Sequence, residues 1–229
     1  MDTTHETSRD SEKALRYKKI VESILQCKRC PLHRTRKNPV PGEGPISADI
    51  MFIGEAPGRR EDETGRPFVG SAGRILDALL ASIGVRREDV YITNVVKCRP
   101  PGNRDPTPEE IESCLPYLIE QIRIIEPKLI ITLGRHAGKT IYSLLGRRWR
   151  GLSAEHGVRV EGVLKGVNMK VVVIPTYHPA AALYNPQIRR VLEEDFRGPI
   201  RSEVERIASR DYEGSRRGGR SRSLLDYMK

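Results

Sequence analysis

The chain has 229 residues, of which 38% are hydrophobic, with a formal net charge of +10 and a pI near 9.6. This length suits one α/β domain, or one domain and a tail. No apolar run approaches the roughly 18 residues of a membrane span, and the polar N-terminus is not a secretory signal, so we expect an intracellular protein. The positive charge favours a nucleic-acid partner, because neutralised phosphates release counterions; a solubilising basic surface is the alternative.

The spacing of apolar residues predicts alternating helices and strands. The predicted helices cover residues 8–26, 71–83, 107–125 and 135–145, and the predicted strands cover residues 49–54, 90–96, 129–134 and 171–176. These strands are continuous apolar runs. Such runs indicate burial on both faces, and therefore a parallel sheet flanked by helices.

Less regular segments separate and follow these elements. Residues 146–170 are predicted to be irregular, with a hairpin excursion as the alternative, and residues 185–209 to be helical with a break at Gly198 and Pro199. We expect one domain over residues 1–208. The basic tail over residues 209–229 is predicted to be disordered, because it cannot bury enough apolar area to fold alone.

A glycine-rich loop, residues 54–70, follows the first strand with the sequence GEAPGRREDETGRPFVG. In an α/β sheet such a loop lies at the carboxyl end of a strand, where ligands bind. Gly54 allows a ligand to approach the backbone closely, and the same loop carries Glu55, Glu61 and Phe68. The Gly-Lys-Ser/Thr of a P-loop is missing, which argues against ordinary nucleoside-triphosphate binding. The second and fourth strands also lead into loops, so we expect three loops to converge on one site.

The four cysteines are Cys27, Cys30, Cys98 and Cys114. A disulfide framework is not expected inside a cell. Cys27 and Cys30 have the spacing of metal ligands, whereas fifteen residues separate Cys98 from Cys114. Structural zinc usually uses two close pairs, while one close pair with two scattered cysteines is compatible with a four-cysteine iron–sulfur cluster. The spacing alone leaves a cluster, zinc and buried free thiols open.

Basic residues surround the cysteines along the chain. We expect a DNA-facing surface built from Lys28, Arg29, Arg34, Arg36, Lys97, Arg99 and Arg104.

Three segments together resemble one known family. They are residues 54–70, the segment NVVKCRPPGNRDPTPEE at 94–110, and the His-Pro pair at 178–179, combined with the four cysteines. This combination resembles the family 4 uracil-DNA glycosylases, iron–sulfur enzymes of thermophilic archaea and bacteria, over about residues 17–206. It implies a three-layer α/β/α sandwich on a four-stranded parallel sheet, and a [4Fe–4S] cluster held by the four cysteines. A content of 31% charged residues, with few Gln and Asn, is also typical of thermophile proteins.

The resemblance implies how the base is recognised. Asn94 would accept from uracil N3–H and donate to O4, contacts that cytosine cannot make. Phe68 would stack on the flipped uracil, and Glu61 would occupy the space of the thymine methyl group. Each residue also has a plain structural explanation, as a turn amide, a core aromatic and a solvated loop acid.

The resemblance also implies a set of catalytic residues. His178 would donate to uracil O2 and stabilise the anion that develops on the leaving base. Glu55 would position water or brace the loop, and Gly54 and Ala56 would line the base pocket. Because Ala56 replaces the aspartate of the best-known glycosylase family, the general base stays unassigned. Either Leu183 or Tyr184 would fill the gap left by the extruded nucleotide.

Three functions compete at this point. The first is a monofunctional uracil-DNA glycosylase, which initiates base excision repair by leaving an abasic site in single- or double-stranded DNA. The second is a metal-stabilised nucleic-acid-binding module without catalysis, and the third is a related glycosylase with a different base range. We expect a monomer associated with the nucleoid of a prokaryote. The tail residues Leu224, Tyr227 and Met228 resemble a degenerate sliding-clamp-binding peptide, with an inert tail as the alternative.

Overall fold

Strands and helices alternate along most of the chain, as the apolar spacing predicts. The computed structural model describes the backbone of residues 3–217 and the side chains of residues 11–209. The strands are β1 (Ile50–Gly54), β2 (Tyr91–Asn94), β3 (Leu129–Leu133), β4 (Val160–Leu164) and β5 (Met169–Thr176). The helices in this part of the chain are α1 (Thr3–Leu25), α2 (Arg59–Thr64), α3 (Ser71–Ser82), α4 (Pro108–Ile125), α5 (Arg135–Leu144), α6 (Leu152–Glu155), α7 (Pro186–Asp195) and α8 (Arg201–Arg217).

The strands form one sheet in the order β2-β1-β3-β5-β4. The four strands β1, β2, β3 and β5 are parallel, which confirms the predicted parallel sheet, and β4 adds an antiparallel edge beside β5. The segment 146–170 therefore contains α6 and forms a hairpin of β4 with β5, which confirms the alternative of a hairpin excursion rather than an irregular segment. The alternating pattern of β4 differs from the other strands, because Val160 and Leu164 are buried while Glu161 and Val163 are exposed. A half-buried edge strand lacks the continuous apolar run by which the other four were recognised.

Helices cover both faces of the sheet. On one face the buried residues of the sheet and of α4 and α5 form a single cluster that includes Met51, Ile53, Leu118, Ile130, Ile141 and Val173. On the other face the sheet packs against α3, α7 and α8 through residues that include Phe52, Leu76, Ile131, Ile174, Leu192 and Val204. This is the predicted three-layer α/β/α arrangement.

The strand order places a crevice at the carboxyl edge of the sheet. The chain passes from β1 to its neighbour β2 through α3, and then crosses to the other side of β1 through α4 to form β3. Ligands bind outside the carboxyl ends of the strands where such a reversal occurs. Gly54 and Asn94, the last residues of β1 and β2, are direct partners in the register. The loops after both strands therefore start side by side.

Several element boundaries differ from the sequence-based expectations. α1 begins at Thr3 rather than at residue 8, and β2 ends at Asn94 rather than at residue 96. Beyond Asn94 the amides of Val95 and Val96 turn toward the loop after β1 and donate to the carbonyls of Gly54 and Glu55. Tertiary hydrogen bonds, rather than the apolar character of the two valines, thus end the strand.

The start of α4 and the C-terminal helices follow the sequence more closely. Thr107 caps α4 in a capping box with Glu110, as the Thr-Pro-Glu-Glu sequence predicts. The expected break near Gly198 is a π-helical turn over Phe196–Ile200. α8 runs to Arg217, past the predicted domain boundary at residue 208, so the start of the predicted tail is helical and the boundary itself stays a prediction. In the described part of the chain, no helix combines the length and apolarity needed to cross a bilayer.

Candidate active site and cysteine cluster

A cavity of about 290 Å³ opens at the carboxyl ends of β1, β2 and β5. It is lined by Glu55, Ala56, Pro57, Gly58, Glu61, Phe68, Ala72, Asn94, Pro100, Asn103, Arg104, His178 and Ala180. The three loops expected to converge therefore do so, and six of the predicted site residues share one cavity: Glu55, Ala56, Glu61, Phe68, Asn94 and His178. Asn103 and Ala72 are wall residues that the sequence did not single out, and Arg104, expected on the DNA-facing basic surface, lines the cavity as well.

Gly54 lies beneath this cavity and lets its floor form. A Cβ atom at this position would stand 2.3 Å from Asn94 Oδ1 and 2.7 Å from Phe68 Cζ. Both distances are too short for a real contact, so any other residue would push the amide and the ring out of place. The sequence predicted that Gly54 allows a ligand to approach the backbone closely. In the structure, the groups that approach it are the side chains of Asn94 and Phe68.

Asn94 brings an unpaired acceptor to the cavity. The residue is 1% exposed, and its Oδ1 has no hydrogen-bond partner among the described residues. A buried acceptor left unpaired costs about 1–3 kcal/mol, so such atoms are rare unless something else satisfies them. Because Asn94 lines a cavity, a ligand with an N–H or O–H donor would recover this energy.

Phe68 closes the cavity from an unusual backbone conformation. Its φ is +49°, in the left-handed region that a bulky residue seldom adopts. Arg87 secures the turn by donating to the carbonyls of Pro67 at 2.6 Å and Phe68 at 3.1 Å. Gly73 permits the turn as well, since a Cβ there would lie 1.9 Å from the Phe68 carbonyl oxygen. The ring then stacks on His178, with centroids 5.6 Å apart and planes 28° from parallel.

His178 is held in one tautomer as a neutral ring. Its Nδ1 accepts the backbone N–H of Ala180 at 3.1 Å, so the ring proton resides on Nε2. Burial lowers the pKa of His178 to about 4, an effect that the charge of Glu61 only partly offsets. Near neutral pH the ring is therefore an uncharged donor.

Glu61 and Glu55, the two acids that line the cavity, have different contacts. Glu61 Oε1 accepts the backbone amides of Val69 and Gly70 at 2.9 and 2.8 Å, which braces the loop that carries Phe68. Glu55 makes no such backbone contact in the described structure. Burial raises the pKa of Glu55 above its usual value, and the neighbouring His136 offsets only part of that rise. Glu55 is thus the cavity carboxylate available to a water molecule.

The four cysteines meet in a second, small cavity behind the first. Cys27 and Cys30 follow α1, Cys98 lies in the loop after β2, and Cys114 is on α4, yet all four line one space. Burial raises the pKa of Cys114 to about 11 and also raises those of Cys30 and Cys98. As free thiols, Cys30, Cys98 and Cys114 would be protonated and unreactive, and metal binding would displace their protons.

Hydrogen-bond donors surround the sulfur atoms. Arg36 Nη1 donates to Cys98 Sγ at 2.9 Å, and the backbone amide of Lys97 donates to Cys114 Sγ at 3.2 Å. The amide of Arg29 donates to Cys27 Sγ at 3.4 Å. Donors of this kind stabilise negative charge on sulfur, and so favour thiolates that ligate a metal.

The environment of Lys97 differs from the one that was predicted from the sequence. Lys97 was expected on a basic surface, but it is 1% exposed, and that expectation is wrong for this residue. Its Nζ donates to Thr93 Oγ1 and the Asn94 carbonyl at 2.7 Å and to Gln121 Oε1 at 2.6 Å. Burial lowers the pKa of Lys97 to about 7, against the opposing effect of the nearby cysteine sulfurs. Lys97 lines the cysteine cavity and also binds the carbonyl of Asn94, so it links that cavity to Asn94 at the floor of the active cavity.

Two exposed side chains stand beside the active cavity on the turn after β5. Leu183 is 41% exposed and Tyr184 is 89% exposed, whereas Ala182 is buried. Leu183 and Tyr184, the two residues expected to fill the gap left by the extruded nucleotide, are therefore accessible to a ligand, whereas Ala182 is not. The predicted clamp-binding residues of the tail lie outside the described residues.

Comparison with known proteins agrees with this arrangement. The family model described as the uracil DNA glycosylase superfamily matches residues 41–197. The chain is 53% identical to the type-4 uracil-DNA glycosylase of Sulfurisphaera tokodaii over 180 residues, which cover 78% of this chain and 81% of that protein. It is 53% identical to the type-4 enzyme of Archaeoglobus fulgidus over 78% of this chain and 88% of that protein. The corresponding figures for the type-4 enzyme of Saccharolobus solfataricus are 52%, 78% and 82%.

The match to the family model includes every segment that builds the cavity, from the loop after β1 to the turn after β5. Both the match and the geometry thus concern the same part of the fold. The chain therefore belongs to the uracil DNA glycosylase superfamily, and within it to the type-4 uracil-DNA glycosylases.

Proposed function

We propose that the protein excises uracil from DNA by hydrolysing the N-glycosidic bond and leaving an abasic site. The observation that carries this proposal is the unpaired Oδ1 of Asn94 at the floor of the cavity. Uracil offers an N3–H donor to that atom. Cytosine presents an acceptor at the same position, and an acceptor facing Asn94 Oδ1 would leave it unpaired at a cost of about 1–3 kcal/mol.

The rings of the cavity suit a flipped base. The Phe68 ring would stack on it, and base–aromatic stacking contributes roughly 1–3 kcal/mol. The neutral His178 would donate from Nε2 to uracil O2, where negative charge builds up as the bond to the sugar breaks. Each increment of about 1.4 kcal/mol of such stabilisation accelerates the reaction tenfold.

Water completes the reaction. The N1–C1′ bond breaks with its electron pair going to the base, and a water oxygen forms the new bond to C1′. Glu55 is the group placed to orient that water and accept its proton. Since Ala56 carries no carboxylate, we assign no other acid to this step. Lys97 Nζ is already bound by three acceptors and does not line the cavity, which supports hydrolysis without a lysine Schiff base.

We further propose that the four cysteines hold a [4Fe–4S] cluster. A single zinc ion with Zn–S bonds of about 2.3 Å would bring its sulfurs to within about 4 Å of one another. In the described part of the chain, the one group of three potential ligand atoms that lies within 4.8 Å is Glu55, Asp105 and His136, not the cysteines. The wider sulfur spacing suits a cluster, which is larger than one ion. When bound, the cluster would cross-link the end of α1, the loop after β2 and α4.

Metal analysis tests this assignment. Protein purified without oxygen should be yellow-brown and contain about four iron and about four sulfide per chain. Zinc in place of iron in such a preparation would contradict it.

The activity itself is tested with a uracil-containing oligonucleotide and alkaline cleavage of abasic sites. The protein should cut the uracil strand and leave the matching thymine and cytosine strands intact. Asn94→Asp should lose roughly 10- to 100-fold in rate, since about 1–3 kcal/mol of base recognition is removed. Asn168→Asp, an exposed change in the turn between β4 and β5, is the matched control. Binding to the oligonucleotide without cleavage would instead favour a non-catalytic nucleic-acid-binding module, and equal cleavage of hypoxanthine strands a wider base range.

Partners and cellular location follow as proposals from this activity. Uracil-containing DNA is the substrate, the protein acts as a monomer, and its place is the nucleoid within a prokaryotic cytoplasm. Contact with a sliding clamp through Leu224, Tyr227 and Met228 is proposed from the sequence alone. Deletion of residues 221–229 should abolish the heat of binding to the organism's clamp while leaving excision from short oligonucleotides intact. No heat from either form would leave an inert tail.

A further inference from the structure

A cluster of polar side chains lies behind Glu55, at the rim of the active cavity. Glu55, Asp105 and His136 each place one polar atom so that the three lie within 4.8 Å of one another. His136 Nε2 is 3.5 Å from Asp105 Oδ2 and 3.9 Å from Glu55 Oε2. The cavity wall is therefore joined at this point to the N-terminal turn of α5 and to the loop after β2.

Arg135 adds a fixed positive charge to the cluster. Its guanidinium contacts the Asp105 carboxylate, and its Nε lies 3.2 Å from His136 Nε2. A guanidinium already seated against both groups disfavours a metal ion at the same place. The cluster is better understood as surroundings for the Glu55 carboxylate.

The charges in this cluster act on Glu55 in opposite directions. Burial raises the pKa of Glu55, His136 and Arg135 lower it, and Asp105 raises it. The other ionisable groups that line the same cavity are Glu61, Arg104 and His178.

We propose that His136 is the positioning residue for Glu55: its protonated ring, with Arg135, favours the ionised Glu55 carboxylate that accepts the proton of the attacking water, whereas Asp105 opposes this effect. The proposal rests on the proposed uracil excision and on the role of Glu55 in it. His136 does not line the cavity, so it acts on the water only through Glu55.

The test is the pH dependence of single-turnover excision from a short single-stranded uracil oligonucleotide, with enzyme in excess. The rate should fall on the acid side as Glu55 becomes protonated. In His136→Gln and Arg135→Gln this fall should move to higher pH, because a group that lowers the pKa of Glu55 is lost. In Asp105→Asn it should move to lower pH.

The size of the effect should depend on pH. For His136→Gln we expect a rate loss of roughly threefold or more near about pH 5, shrinking to less than about twofold near about pH 8, where Glu55 is ionised in either protein. Affinity for the oligonucleotide should be unchanged. A merely structural defect would lower the rate at every pH, and would not shift the two kinds of variant in opposite directions.

A matched control and the unmodified protein separate the possible failures. His156 Nδ1 lies 3.1 Å from the Asp195 carboxylate, and His156 does not line the cavity. His156→Gln therefore removes a similar pair, and it should not change the pH at which the rate decreases on the acid side. Melting temperatures identify any variant that fails to fold, and the exposed Asp105 then still provides the test. If the unmodified protein is active, but the pH at which its rate decreases on the acid side is the same in His136→Gln and in Asp105→Asn, this proposal is wrong. An unmodified protein that excises no uracil would overturn the proposed function itself.

Discussion

At the scale of single residues, the site depends on close approaches that permit only one residue type. Gly54→Ala should lower uracil excision by at least about tenfold and cost roughly 1–3 kcal/mol of stability, because its methyl group would collide with Asn94 Oδ1 and Phe68 Cζ. Excision rate and melting temperature are the measurements. Gly198→Ala is the control, since a Cβ there meets nothing within 4 Å. Normal activity in Gly54→Ala would mean that neither side chain needs its observed position.

Lys97 is the second residue whose loss should be severe. Lys97→Met keeps the length of the side chain but leaves Thr93, Asn94 and Gln121 without their common donor. We expect a loss of about 3 kcal/mol, or about 10 °C in melting temperature, since buried unpaired acceptors are costly. Lys170→Met, at a side chain that is 73% exposed, should change little. An unchanged melting temperature for Lys97→Met would show that the buried network contributes nothing net.

At the scale of an element, the short turn after β5 carries both the proposed donor to the leaving base, His178, and a residue expected to fill the gap left by the flipped base, Leu183. His178 faces the cavity at its start, and Leu183 is exposed at its end. Leu183→Ala should slow excision from duplex DNA by roughly tenfold or more, because extruding a stacked base costs a few kcal/mol that the wedge offsets. Excision from single-stranded DNA, where little stacking opposes flipping, should be nearly unchanged. Equal losses on both substrates would point to a defect in the cavity instead.

At the scale of the whole molecule, the cysteine cavity joins parts of the chain that are distant in sequence. β1 and β2 lie between Cys27 and Cys114 in the sequence, and a cluster would fix the relative positions of these two cysteines. Iron removal should therefore lower the melting temperature by on the order of 10 °C, since metal binding free energy adds to folding free energy. Calorimetry of the iron-loaded and iron-free protein measures this, with reconstitution as the control. If both forms melt together, the cluster does not support the fold.

Much of this architecture follows from local patterns in the sequence. Four continuous apolar runs predicted four parallel strands, and the Thr107 capping box placed the start of α4. The cavity residues were identified by the resemblance of their motifs to the family 4 glycosylases, and the position of those motifs at strand ends predicted that their loops converge. β4 was foreseen only through the alternative of a hairpin in residues 146–170, because an edge strand that is buried on one face alternates and gives no continuous apolar run.

The sequence by itself thus determined which segments build the sheet and which residues surround the cavity. Only the tertiary structure decided how those residues work. It paired Nδ1 of His178 with the Ala180 amide, left Asn94 Oδ1 unpaired, buried Lys97 beneath Asn94 and brought His136 to Glu55. The His178–Ala180 bond joins residues two apart, but the other three properties depend on contacts between residues far apart in the chain. Hydrogen bonding and burial depend on such neighbours, and periodicity along the sequence carries no record of them.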